Sequence, residues 1–386
     1  MMGAGPRRPL DGVLIADFSR ILAGPYATMS LADLGARVIK IERVGIGDDT
    51  RAWQPPRSAT GSTYFDSVNR NKESLTLDLS DDGDRRLAFE LARRADVVVE
   101  NFKPGTMQRF GLGYDDLRVE NPGLVYGSIT GFGSGTGAEY LGYDFLVQAV
   151  GGLMSISGEP DGPPTKVGVA LVDVLTGKDL EIGILAALYE RQLTGNGARF
   201  EVNLLSSLQA ALVNQVQAFL GADVVPTRMG NAHPSIAPYQ LLECADRPLA
   251  VACGNDAQFA ALARVLDLDA LVTDPRFATN GARVANRVAL VEALEGALAA
   301  DTADAWSPRL TKARVPAGPV ATIEQGIRFA KSLGLDPTVE LHDSDGRVVG
   351  RQIRQPITWM PAFAPRTTAP PALGEHSEVL RFWLTH

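Results

Sequence analysis

Carboxylates are the reactive side chains this chain holds in quantity. It has 45 Asp and Glu against 37 Lys and Arg, a net charge of −8, but four His and two Cys in 386 residues. Cys244 and Cys253 are too few for a disulfide framework or a Cys-rich zinc or iron–sulfur site. His233, His342, His376 and His386 lie far apart and show no H-E-x-x-H spacing. Acid–base or nucleophilic work therefore falls to a carboxylate. One candidate is Asp173, which follows a mostly apolar stretch (167–172) and precedes a helical pattern beginning near Thr176. An aspartate so placed can cap the helix or serve as a nucleophile, and spacing alone leaves both readings open.

The composition narrows the partners. An acidic chain lacks the Lys and Arg excess that neutralises phosphate backbones, which argues against nucleic acid. No run of about 18 apolar residues suggests a membrane span. Residues 1–12 carry two Arg but no apolar segment follows, so no signal peptide is expected, and with so few Cys the cytoplasm is the expected compartment.

Elements that could position Asp173 alternate along the chain. Apolar runs at 13–18, 36–42, 74–79, 96–101, 124–133 and 198–205 read as strands. Helical patterns lie at 26–35, 82–95, 176–193 and 206–221, the third with Leu180, Ile184, Ala187 and Leu188 on one face. This βα alternation predicts a parallel sheet covered by helices. The pattern changes near 225, and 225–325 reads as a smaller domain. Two strand-like pieces then flank Asp345-Gly346, a hairpin signal, before a Pro-rich arm at 361–374.

Standard nucleotide signatures fail. The first βα turn, R-I-L-A-G-P, has one glycine where G-x-G-x-x-G has three, which argues against NAD. Gly177-Lys178 is no P-loop, because Val172 stands in place of its first glycine and Asp179 in place of Ser or Thr. No G-x-S-x-G nucleophile elbow occurs.

Several segments together resemble the class III CoA-transferase family, which includes formyl-CoA transferases, carnitine CoA-transferases and α-methylacyl-CoA racemases. They include PLDGVLIADFSRILAGPYATMSLADLGARVIKIERVGIGDDTR (9–51), NRNKESLTLDL (69–79), ADVVVENFKPGTMQRFGL (95–112), GYDFLVQAVGG (142–152), GPPTKVGVALVDVLTGKDLEIGILAAL (162–188), MGNAHPSIAPYQ (229–240), RVPAGPVATIEQ (314–325) and LGEH (373–376). The resemblance implies a Rossmann-like α/β large domain built from both chain ends (1–224 and 326–386), a smaller α/β domain (225–325), and an interlocked homodimer.

It also implies an activity and a site. Asp173 matches the family's catalytic aspartate, which moves CoA from an acyl-CoA to a free carboxylic acid through aspartyl anhydride and aspartyl-CoA intermediates. Coenzyme A is then a co-substrate, with no metal and no NAD. Leu22, Ala23, Arg43, Leu77, Asp78, Asn101, Phe102, Lys103, Arg109 and Tyr143 match CoA contacts. Trp53, Asp144, Gly230 and His233 match positions around the acyl pocket. Glycine amides, from Gly230 or the Gly151-Gly152 pair, are candidate oxyanion donors. Two departures bear on substrate. Leu22 replaces the glutamine of formyl-CoA transferases, which implies a less polar acyl pocket. Tyr143 replaces the histidine of the racemases, removing one of the two bases that proton transfer at Cα needs. A racemase and a non-catalytic CoA-binding subunit remain the alternatives.

Overall fold

Six parallel strands form the central sheet: β1 (Leu14–Asp17), β2 (Arg37–Glu42), β3 (Lys72–Thr76), β4 (Val97–Glu100), β5 (Val125–Thr130) and β6 (Ala198–Asn203). The structure, a computed structural model, describes residues 7–58 and 61–386. Residues 59–60 lie outside that description, as do residues 1–6, on which part of the signal-peptide reading rests. The strand order is β3-β2-β1-β4-β5-β6, the doubly wound arrangement. Successive side chains of a strand point to opposite faces. Ile15, Val97, Val99 and Val125 therefore enter one core, and Ala16, Val98 and Tyr126 the other. Burial on both faces explains the continuous Val/Ile runs.

Helices α1 (Ala23–Asp33), α2 (Asp82–Arg94), α3 (Asp144–Val150), α4 (Leu171–Thr194) and α5 (Leu204–Ala211) accompany the sheet. Helix α4 buries Leu180, Ile184, Ala187 and Leu188, the face its periodicity predicts. It begins five residues before the expected start near Thr176, so Asp173 lies inside its first turn. The helix expected at 206–221 is broken in two, Leu204–Ala211 and Val213–Ala222, with Val213 at φ 37° opening the second piece. Asn203 ends β6 and caps α5, its side chain accepting from the Ser206 N–H at 2.8 Å.

The chain divides into two compact units. The first comprises the chain through Leu153, Val167–Ala222 and Asp336–His386, and the second Met154–Lys166 and Asp223–Leu335. The expected smaller domain, 225–325, thus gains two pieces. Residues 154–166 join it because the Gly230 N–H donates to the Gly158 carbonyl at 3.0 Å. Its C-terminal edge moves because the helix Ile323–Ser332 runs past 325. The second unit's sheet, β7 (Tyr239–Glu243), β8 (Pro248–Ala252) and β9 (Ala317–Pro319), is antiparallel. With helices segregated against it, this unit is α+β rather than the alternating α/β expected. Its core includes Leu242, Val251, Phe259, Leu290 and Trp306.

In the first unit, Thr338–His342 and Val348–Ile353 form the antiparallel hairpin that Asp345-Gly346 predicts. Among the described residues, no helix is long and apolar enough to cross a membrane.

Candidate active site

The order of the sheet reverses between β1 and β4, and open α/β sheets bind ligands in the crevice beyond the strand ends at such a point. Here the segments leaving β1, β4 and β5 line a cleft of about 650 Å³ with Asp173 in its wall. Asn101, just past β4, stitches two of these segments together. Its Oδ1 accepts from the Arg20 N–H at 2.9 Å, and its Nδ2 donates to the Arg20 carbonyl at 2.8 Å. The next residue, Ile21, has φ 72°, a conformation costly for a β-branched side chain. Its N–H donates to the Asp48 carboxylate at 3.2–3.3 Å, and Lys40 Nζ donates to the Ser19 carbonyl at 2.8 Å. Buried polar bonds thus hold the strained turn in place.

Glycines set the approach of the other walls. A Cβ on Gly177 of α4 would lie 2.6 Å from the Ala23 carbonyl oxygen, so only glycine lets the Asp173 helix press onto the start of α1. Gly131 and Gly142 cross so closely that a Cβ on either would meet the other's Cα within 2.4 Å. That crossing brings Tyr143 and Asp144 beside the end of β5.

Asp173 is the third residue of α4, and the N-cap position is Ala170, which has no side-chain acceptor. The capping reading of Asp173 therefore fails. Asp144 caps from outside, its Oδ2 accepting from the Val172 N–H at 2.8 Å and its Oδ1 from Gln148 Nε2 at 2.7 Å. Buried Gln148 in turn accepts from the Val167 N–H at 2.9 Å. This leaves the Asp173 carboxylate without a hydrogen-bond donor among the described residues. Burial, then the neighbouring Asp144 charge, pushes its pKa up to about 7. Tyr64, which the sequence did not single out, shares this environment. Burial and the charges of Asp173, Asp144 and Asp48 push its hydroxyl up to about 12. Its ring meets Trp53 edge-on at 4.9 Å. No local pattern marks Tyr64, because a one-turn helix, Thr63–Asp66, in the connection between β2 and β3 carries it to the site.

A second depression of about 410 Å³, on the β2–β3 side, is lined by Arg43, Val44, Ile46, Leu77, Asp78 and Ser80 among others. Arg20 and Phe102 line both depressions. Of the residues singled out from sequence, Leu22, Ala23, Trp53, Asn101, Phe102, Lys103, Tyr143 and Asp144 share the cleft with Asp173. Arg43, Leu77 and Asp78 line the second depression. Arg109 is exposed and lines neither. Gly230 and His233 belong to the second unit, where His233 Nδ1 accepts from the Ser235 N–H at 3.0 Å and its ring packs on Tyr239. The oxyanion role expected of Gly230 or Gly151 meets an obstacle. Both amides are engaged, Gly230 with the Gly158 carbonyl at 3.0 Å and Gly151 with the Val147 carbonyl at 2.8 Å.

The chain's likenesses agree with this geometry. A family model described as CoA-transferase family III matches residues 10–377. The chain is 44% identical over 331 residues to the acetyl-CoA:oxalate CoA-transferase of Acetobacter aceti, covering 85% of each. It is 41% identical over 384 residues to the succinyl-CoA:glutarate CoA-transferase of Mus musculus, covering 97% of this chain and 87% of that one. Among solved structures, a CAIB/BAIF family protein from Brucella suis matches with a TM-score of 0.87 at 41% identity, over 98% of this chain and 100% of that one.

Proposed function

The chain belongs to CoA-transferase family III, and from that premise we propose that it moves CoA between two carboxylic acids with Asp173 as nucleophile. The observation that carries this reading is a half-buried carboxylate in the wall of the switch-point cleft, with no hydrogen bond to weaken it as a nucleophile. A carboxylate oxygen of Asp173 attacks the thioester carbonyl, the C–S bond breaks, and CoA leaves as thiolate. The thiolate attacks the aspartyl carbonyl of the resulting anhydride. The anhydride C–O bond breaks, the first acid leaves as carboxylate, and an aspartyl-CoA thioester remains. The acceptor carboxylate then attacks that thioester and expels the thiolate. Thiolate attack on the acceptor's own acyl carbon completes the new acyl-CoA and regenerates the Asp173 carboxylate. Each intermediate stays acyl-activated, so hydrolysis is the competing reaction and water must be kept from it during transfer.

Tyr143 in the cleft, where a racemase carries a histidine, favours transfer over proton exchange at Cα. The acids named for the two relatives, oxalate and glutarate, are dicarboxylic, which supports a dicarboxylic acid as substrate here. A homodimer belongs to the same reading. Helix α4 exposes Ile182, Leu185, Tyr189 and Leu193, an apolar stripe at helical spacing that a second subunit would cover.

The test is incubation with succinyl-CoA without acceptor acid, a hydroxylamine quench and peptide mass spectrometry. An Asp173 hydroxamate is expected. Modification at another residue, or transfer that survives Asp173→Ala, would overturn the mechanism.

A further inference from the structure

The two depressions share two side chains. Arg20 lines both, its guanidinium 5.3 Å from the ring centroid of Phe102, which also lines both. Arg20 Nη1 binds Oδ2 of Asp49 at 3.0 Å, while Arg43 Nη2 takes Oδ1 of the same carboxylate. Two guanidiniums on the two oxygens of one carboxylate are spaced as they would be around a single phosphate or diphosphate. In addition, Nε of Arg20 is buried and has no acceptor among the described residues. A buried donor left unpaired costs free energy that an incoming acceptor recovers.

Resting on the CoA-transferase reading above, we propose that Arg20 binds the diphosphate linker of CoA where the two depressions join, and that Asp49 is the anion it exchanges for that linker. Two anions of an acyl-CoA could otherwise claim Arg20, namely the 3′-phosphate and the distal carboxylate of a dicarboxylic acyl group. The diphosphate is favoured by the shared Asp49. Arg43, the other holder of that carboxylate, lines the β2–β3 depression and not the Asp173 cleft. A group bridging both arginines therefore sits between nucleotide and thioester, where CoA carries its diphosphate. Phe102 fixes the plane of the Arg20 guanidinium by stacking, so the fork is oriented before ligand arrives.

The experiment is calorimetric binding of CoA, 3′-dephospho-CoA and succinyl-CoA, in an Asp173→Asn background so that the thioester does not react. Arg20→Gln is expected to weaken all three by the same factor, roughly 10- to 100-fold. Arg20→Lys, which keeps the charge but loses the fork, should fall between and guards against a folding defect. Asp49→Asn, which removes the competing anion, should tighten CoA at low salt by about fivefold. A loss that vanishes with 3′-dephospho-CoA assigns Arg20 to the 3′-phosphate and overturns the proposal. A loss confined to succinyl-CoA assigns it to the acyl carboxylate and does the same, as does equal binding by Arg20→Gln and its parent. Weaker binding by Asp49→Asn would remove the exchange. CoA binding absent even from the parent protein would sink the CoA-transferase reading itself.

Discussion

Asp17, Glu42 and Asp48 are buried beside cations, and Asp173 is half-buried beside another carboxylate. Asp48 pairs with Lys40 at 2.9 Å, Asp17 with Lys72 at 3.2 Å, and Glu42 with Arg51 at 2.7 Å. Burial raises the pKa of each, yet the cations and hydrogen bonds more than offset it. Asp17 and Glu42 fall below their ordinary values, and Asp48 falls to about 2. For Asp173 burial meets no such offset, and its carboxyl rises to about 7. The same residue type thus does two jobs in one unit. The paired carboxylates build the wall, with Asp48 holding the Ile21 N–H and its Lys40 partner holding the Ser19 carbonyl. The unpaired one is the proposed nucleophile.

Exchanging an acid for its amide should therefore act in opposite ways in the two groups. At Asp173, replacement by Asn is expected to cut transfer by at least about 1,000-fold, because the proposed nucleophile is gone. The same change should stabilise the fold at neutral and alkaline pH. Between 3.8 and about 7 the unfolded chain releases the proton that the native site retains, so the native state loses stability as pH rises through that window. The Asn variant escapes this loss, and its melting temperature should exceed the parent's at pH 8 but not at pH 4. A variant that melts lower at pH 8 would show that Asp173 is held by a favourable partner after all.

Removing a cation from the wall should do the reverse. Lys72 is fully buried between Asp17, the Pro25 carbonyl and Asn69, and burial draws its ammonium down to about 8, so it is still mostly charged at neutral pH. Lys72→Met leaves Asp17 as an uncompensated buried charge and should cost about 3–5 kcal/mol in denaturant unfolding. A cost below about 1 kcal/mol would erase the distinction between the two groups. The reactive carboxylate should also show in the pH profile. The kcat/KM of the parent enzyme is expected to fall about tenfold per pH unit below about 7 and to level off above it. A profile flat down to pH 5 would mean that Asp173 is ionised like the wall carboxylates.

The wall was more legible from sequence than the reactive site. Strands buried on both faces read as apolar runs, so β1, β2, β4 and β5 fell where Val and Ile lay, while the edge strands β3 (KESLT) and β6 (ARFEVN) mix polar and apolar residues. The start of α4 was misplaced because its cap is not local. Ala170 offers no acceptor, and the capping oxygen comes from Asp144, on another helix. The antiparallel strands Tyr239–Glu243 and Ala317–Pro319 went unassigned: both are short, the first (YQLLE) follows a Pro-broken loop and the second (AGP) holds Gly and Pro itself. Asp173 itself stood out through family resemblance, since its spacing alone favoured a helix cap. Tyr64 and the Arg20–Asp49–Arg43 contact carried no local signal, because each arises where separate connecting segments meet.

Asp144 offers the smallest and most discriminating change, because it belongs to both sides of the comparison. Its carboxylate caps α4 as a structural group, and its charge is the second cause of the raised Asp173 pKa. Asp144→Asn keeps an acceptor oxygen for the Val172 N–H but removes the charge and the oxygen that accepts from buried Gln148 Nε2. The charge is favourable at a helix N-terminus and the Gln148 donor loses its acceptor, so stability should drop by about 1–3 kcal/mol. Burial remains as the larger cause, so the acid limb of kcat/KM should move to lower pH by less than about one unit rather than return to the ordinary carboxylate range. Activity at pH 6 should then approach its plateau more closely than in the parent. A limb that stays in place would assign the elevation of Asp173 to burial alone and reduce Asp144 to a cap. A limb that moves upward would mean that the Asn substitution buries Asp173 further, and that the cap rather than the charge governs the nucleophile.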